Sequence, residues 1–161
     1  MLDIGLELVA WVHVFSAIIW FGSIITIFFI IIPSIKKSEI SNKANLLIQM
    51  GKRVGIVVGI ATGLVLLTGI LRVWYVIGDN INLLLNSFWG NVLLLKVLLF
   101  LVFASTSGIM GKKLGDFTPQ STNEEVLQKF EQIKFLGLVN VLLGAVIILL
   151  AVVLRYGPYP S

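Results

Sequence analysis

Residues 54–77 read VGIVVGIATGLVLLTGILRVWYVI, and Arg72 is the only charged side chain among them. A helix crosses roughly 30 Å of hydrocarbon with about 20 mostly apolar residues at about 1.5 Å each. This stretch is long enough and contains no proline. Three further stretches have the same character, Leu8–Ile32, Trp89–Met110 and Ile133–Leu154. The pattern predicts an all-α, polytopic membrane protein, a single four-transmembrane-helix domain over 1–161.

Composition supports this reading. The 161 residues are 58% hydrophobic and 12% charged, about half the charged fraction of an average soluble domain, and mean hydropathy is +1.03. The first stretch has no basic leader, carries Asp3 and Glu7, and outruns the apolar core of a signal peptide, so it is expected to be retained.

The net charge is +4, but its distribution speaks for topology and not for nucleic acid. Lys36, Lys37, Lys43, Lys52 and Arg53 cluster at the first connection, and Lys112, Lys113, Lys129 and Lys134 at the third. The positive-inside tendency places both in the cytoplasm and both termini outside a cell membrane. Anionic lipid would add to that preference.

Proline is disfavoured inside a helix, so the first helix is expected to end near Pro33-Ser34. Asn42–Arg53 mixes Leu46, Leu47, Ile48 and Met50 with polar residues, which predicts that the second helix starts in the cytoplasm and enters the membrane unbroken. Gly78-Asp79-Asn80 reads as a turn, and residues 81–86 as a short interfacial segment bracketed by Trp74 and Trp89. Thr122-Asn123-Glu124-Glu125 fits a capping box and predicts a cytoplasmic start for the fourth helix at about Asn123.

In lipid, helix association relies on small residues that let backbones approach. Gly51, Gly55, Gly59 and Gly63 recur every four residues and predict a glycine-zipper packing face on the second helix. Ser105, Gly108, Gly111 and Gly115, with Gly137 and Gly144, extend that logic. A compact bundle, a homo-oligomer or a contact with other membrane subunits would each use such faces.

Polar groups inside a membrane are costly, which singles out His13, Lys96 and Asn140. His13, the only histidine, shares a face with Ser16, Trp20 and Ser23, and that face should look into the bundle. It reads as an imidazole hydrogen-bonded to a neighbouring helix, or as a haem or metal ligand. Lys96 reads as a snorkelling side chain, or as a cation facing a carboxylate or propionate. With the topology above, both lie in the outer half, where Trp20, Arg72 and Trp89 could line a common pocket.

Several chemistries are disfavoured. There is no cysteine, which removes disulfides, thiolate sites and thiol catalysis. One histidine with scattered Met1, Met50 and Met110 makes a poor copper site. Bis-histidine haem ligation would need a second copy or a partner. Nucleophile triads, phosphate-binding loops and zinc spacings are not found.

Trp11-Val12-His13, Ser16-Ala17 and Trp20-Phe21-Gly22 resemble the first helix of the CopD-type copper-resistance membrane proteins and the related HemJ-type protoporphyrinogen oxidases. Met50-Gly51-Lys52-Arg53, Leu67-Thr68-Gly69, Trp89, Lys96 and Gly108-Ile109-Met110-Gly111-Lys112-Lys113 are similar to later helices of that superfamily. The HemJ resemblance implies that His13 binds haem and that Lys96 matches a third-helix lysine. Two places depart from it. Ala104-Ser105-Thr106-Ser107 stands where a further histidine is expected, and Phe135-Leu136-Gly137-Leu138 where an Asn-Glu-Pro element is expected.

The CopD resemblance implies a link to copper handling. The glycine faces, short loops and sparse buried polar groups point to a CopD-like protein without catalytic activity of its own, a small accessory subunit of a larger membrane complex or of copper handling. The HemJ resemblance implies a haem-b oxidoreductase acting on a porphyrin, with His13 as ligand, Lys96 on a porphyrin carboxylate and Trp20 in the pocket. A small-solute or ion transporter is the third expectation, and it predicts a broken helix or a polar line through the midplane, at which Asn140 alone hints.

Overall fold

The computed structural model describes residues 4–39, 41–78 and 80–157. The elements are α1 (Ile4–Thr26), a π-helical turn (Ile27–Ile31), α2 (Ile32–Lys37), α3 (Lys43–Ile77), α4 (Ile81–Asn86), α5 (Phe88–Gly115) and α6 (Asn123–Tyr156), with no strand among the described residues. Four continuous helical segments, Ile4–Lys37, Lys43–Ile77, Phe88–Gly115 and Asn123–Tyr156, are long and apolar enough to cross a membrane. Asp3 and Asp79 fall outside the described residues.

The first segment differs from expectation at Pro33, which does not end the helix. The chain stays helical to Lys37 because the π turn lies just upstream. There Ile32 N–H donates to the Ile27 carbonyl, a five-residue step. Proline's missing N–H and its ring clash matter where a four-residue ladder must continue. Pro33 instead sits in the first turn of α2, where an N–H is not needed.

α3 and α6 outrun the membrane, as expected. At 35 and 34 residues each spans about 50 Å at 1.5 Å per residue. Their starts are capped. The Asn42 side chain accepts from Asn45 N–H at 2.8 Å. Thr122 Oγ1 accepts from Glu125 N–H at 3.2 Å while Glu125 Oε2 accepts from Thr122 N–H at 3.0 Å, a complete capping box. α3 ends at Gly78, whose φ of +54° is open to glycine at little steric cost.

The projecting ends share a core of their own. Ile35 of α2, Ala44 of α3, Met110 of α5, Phe117 of the connection and Val126, Phe130 and Ile133 of α6 are buried together. Lys36 pairs with Glu131, and Asn123 Oδ1 accepts from Lys43 N–H at 3.2 Å. The two basic connections therefore meet at one end of the bundle.

A second core fills the membrane-spanning part: Trp20 and Ile24 of α1, Ala61 and Val65 of α3, Phe100 and Phe103 of α5 and Ile147 of α6. Two glycines of α6 make room for aromatic rings of the first segment. A Cβ at Gly137 would collide with the Phe28 ring, and one at Gly144 with the Phe21 ring. Around these cores the surface is apolar: Ile56, Ile60, Ile70 and Trp74 of α3 are each 60–70% exposed. Such a surface would drive aggregation in water, and lipid is its natural solvent. The chain is a membrane protein built as a four-helix bundle.

Gly51, Gly55, Gly59 and Gly63 lie on that outer surface. No other atom of the chain comes within 4 Å of a Cβ built at any of the four. Ala61, Val65 and Thr68 are buried instead. At about 100° per residue, Gly59 and Ala61 point about 200° apart, so the glycine face is turned away from the core. Within one copy of the chain it packs nothing. Close approaches are made at other glycines, among them Gly137, Gly144 and Gly90, the last lying against the backbone carbonyls of Leu83 and Leu84 in α4.

Candidate functional site

α1 and α3 run antiparallel, and their alignment brings His13 beside Thr68, with His13 Nδ1 2.9 Å from Thr68 Oγ1. The threonine hydroxyl has one proton, which it donates to the Leu64 carbonyl at 2.5 Å, one turn back along α3. Its oxygen is then left as an acceptor, so His13 Nδ1 carries the proton and donates. The consequence falls on the far side of the ring. Nε2 holds the free lone pair, in the manner of ligating histidines fixed by a second hydrogen bond.

The ring is also seated sterically. A Cβ on Gly69 would stand 3.4 Å from His13 Cε1, so glycine lets the imidazole lie close against α3. Thr68 and Gly69 are adjacent, one holding the ring by its proton and the other by its shape.

Arg72 stands one turn beyond Thr68 on α3, and Lys96 lies on α5. His13 lies nine residues into α1 and Lys96 eight into α5, about 12–14 Å from the helix starts at 1.5 Å per residue. The two lie at similar distances from the starts of their helices. Among the described residues the ion pairs are Lys36–Glu131 and Lys134–Glu131, and neither Arg72 nor Lys96 is in one. Among the described residues, Arg72 and Lys96 therefore stand in apolar spans with no carboxylate in ion-pair reach. Such an arrangement suits an anionic ligand.

The remaining candidates sit elsewhere. Trp20 is 3% exposed and packs against Phe100 and Phe103 of α5, at centroid separations of 5.1 and 4.0 Å. It is a core side chain. Trp89 is buried near the start of α5. Asn140 is fully buried and bonded: Thr106 Oγ1 donates to its Oδ1 at 2.5 Å, and its Nδ2 donates to Ser107 Oγ at 3.1 Å and Met110 Sδ at 3.3 Å. It clamps α6 to α5. Thr106 and Ser107, in the region where the HemJ resemblance leads one to expect a histidine, serve that clamp.

Thr68 is the partner of His13 that sequence reasoning does not single out. Its signal was a lone hydroxyl beside a glycine within an apolar run, Leu67-Thr68-Gly69. No three His, Cys, Asp or Glu side chains among the described residues converge on a possible metal position. His13, the only histidine in the sequence, is the only imidazole available as a ligand.

No family model, curated protein or solved structure matches this chain.

Proposed function

We propose that the protein is a haem-b-binding membrane subunit, with His13 Nε2 as the axial ligand and Arg72 and Lys96 as counter-ions for the propionates. The observation that carries this reading is the Thr68 hydrogen bond to His13 Nδ1, which leaves Nε2 as the free donor. Among the described residues neither cation is ion-paired, so the side chains offer a neutral imidazole for the iron and two cations for two carboxylates. Bound there, haem would supply one-electron redox chemistry. The chain's own part would be to fix the ring through Thr68 and Gly69 and to hold the carboxylates. The HemJ resemblance supports the same assignment of His13 and Lys96. The test is the absorption spectrum of the purified protein beside that of a His13→Ala variant, where a reduced b-type spectrum lost in the variant is the supporting result.

A second reading is favoured by a separate observation. The outward register of Gly51, Gly55, Gly59 and Gly63 offers a close-approach surface that the chain does not use itself. It supports the reading of a CopD-like accessory subunit in a larger membrane complex of the cell membrane, basic end in the cytoplasm. The two readings are compatible, since the glycine face is turned away from the Thr68 side of α3 that holds His13, and a partner docked there would leave that site free. Copper handling would rest on such a partner, because this chain brings too few ligands together. The transporter reading rests on Asn140, whose polar atoms are engaged by Thr106, Ser107 and Met110.

A further inference from the structure

Between the first segment and α3, toward the basic end, lies an open groove of about 460 Å³. Its wall on the first segment runs from Ile18 past Gly22 to Ile27 and Ile31, one helical face. Fourteen residues, thirteen steps of 1.5 Å, make this wall about 20 Å long, parallel to the helix axes and shorter than the roughly 30 Å hydrocarbon core, and α3 closes its basic end with Arg53, Val54 and Val57. Gly22 keeps it open, since no atom lies within 4 Å of a Cβ built there.

The lining is apolar apart from three residues, and Arg53 is its only charge. The Ser23 hydroxyl in the wall donates to the Ile19 carbonyl at 2.6 Å, so its proton is engaged. Arg53 is exposed and, among the described residues, in no ion pair. It stands at the basic end, next in sequence to Lys52.

We infer that this groove is a binding site for one anionic glycerophospholipid, with an acyl chain along the groove between Gly22 and Val57 and the phosphate on Arg53. Charge and shape argue together. A long apolar slot matches an acyl chain, and a guanidinium at the basic end matches a phosphate, which it can bind in bidentate fashion. The neighbouring lysines favour a lipid with net negative charge. The inference is independent of haem, since no groove residue belongs to the His13 site.

The experiment is native mass spectrometry of the full chain released from mild detergent, with dioleoyl phosphatidylglycerol or dioleoyl phosphatidylcholine added at equal concentration. The wild type is expected to retain one phosphatidylglycerol about tenfold more strongly than phosphatidylcholine, with no competition from millimolar inorganic phosphate. Arg53→Gln should lose that preference and Lys52→Gln, an equal charge change outside the groove, should keep it. Gly22→Leu fills open space and should abolish retention of either lipid, with helicity by circular dichroism unchanged. Equal retention by wild type and Arg53→Gln, an equal loss in Lys52→Gln, displacement by inorganic phosphate, or a dimer carrying no lipid would each overturn the proposal.

Discussion

His13 and Thr68, fifty-five positions apart, meet across α1 and α3 with Nδ1 and Oγ1 at 2.9 Å. Because the hydroxyl proton goes to Leu64, this contact sets the tautomer of the only histidine in the chain. Thr68→Val keeps the shape and removes the acceptor. It should cost about 1 kcal/mol in thermal unfolding in detergent, within the range for hydrogen bonds between membrane helices. Thr68→Ser should be near neutral. Haem retention should fall in the valine variant and persist in the serine variant.

Arg72 and Lys96 are expected to act on a ligand's carboxylates. Lys96→Met should weaken haem binding by about tenfold, which corresponds to about 1.4 kcal/mol, while leaving unfolding of the ligand-free protein unchanged or slightly improved by removal of an unpaired cation. Haem titration monitored in the Soret region checks this. Equal affinity in Lys96→Met and wild type would remove the lysine from the site.

The glycines divide into two classes with opposite expectations. Gly137→Leu and Gly144→Leu drive side chains into the Phe28 and Phe21 rings and should destabilise the bundle by about 1–3 kcal/mol. Gly59→Leu meets nothing within 4 Å and should change monomer stability by less than about 0.5 kcal/mol. If the outer face docks another copy or subunit, Gly59→Leu should instead abolish association measured by cross-linking in membranes.

Asn140→Leu replaces a satisfied polar clamp by an apolar side chain and takes the Asn140 donor from Ser107, while Thr106 keeps the Val102 and Phe103 carbonyls of its own helix as acceptors. Unfolding should be easier by about 0.5–1.5 kcal/mol. Transport activity of reconstituted vesicles would be indifferent to this substitution on the present account, and an ion flux sensitive to it would revive the transporter reading.

These contrasts show what the amino-acid pattern carries and what it does not. The helices were legible because a membrane span is a local property, an uninterrupted apolar run, and the Thr122–Glu125 capping box and the Gly78 turn are local too. Pro33 misled because its effect depends on the widened turn before it, which no residue type in Ile27–Ile31 announces. The glycine register was visible, but its direction was not, since facing is decided by the Ala61, Val65 and Thr68 side that α1 selects. His13 and Lys96 stood out because ionisable groups are rare in apolar runs. The partner of His13 did not, because it comes from a different helix and one hydroxyl among many looks like any other.

The central claim is best tested by oxidised and dithionite-reduced spectra of the protein purified in mild detergent, with His13→Ala and Thr68→Val prepared alongside. The account predicts a b-type reduced spectrum in the wild type, its loss in His13→Ala and a lowered haem content in Thr68→Val. A wild type that stays colourless after haem is supplied, or a spectrum that survives in His13→Ala, would contradict it.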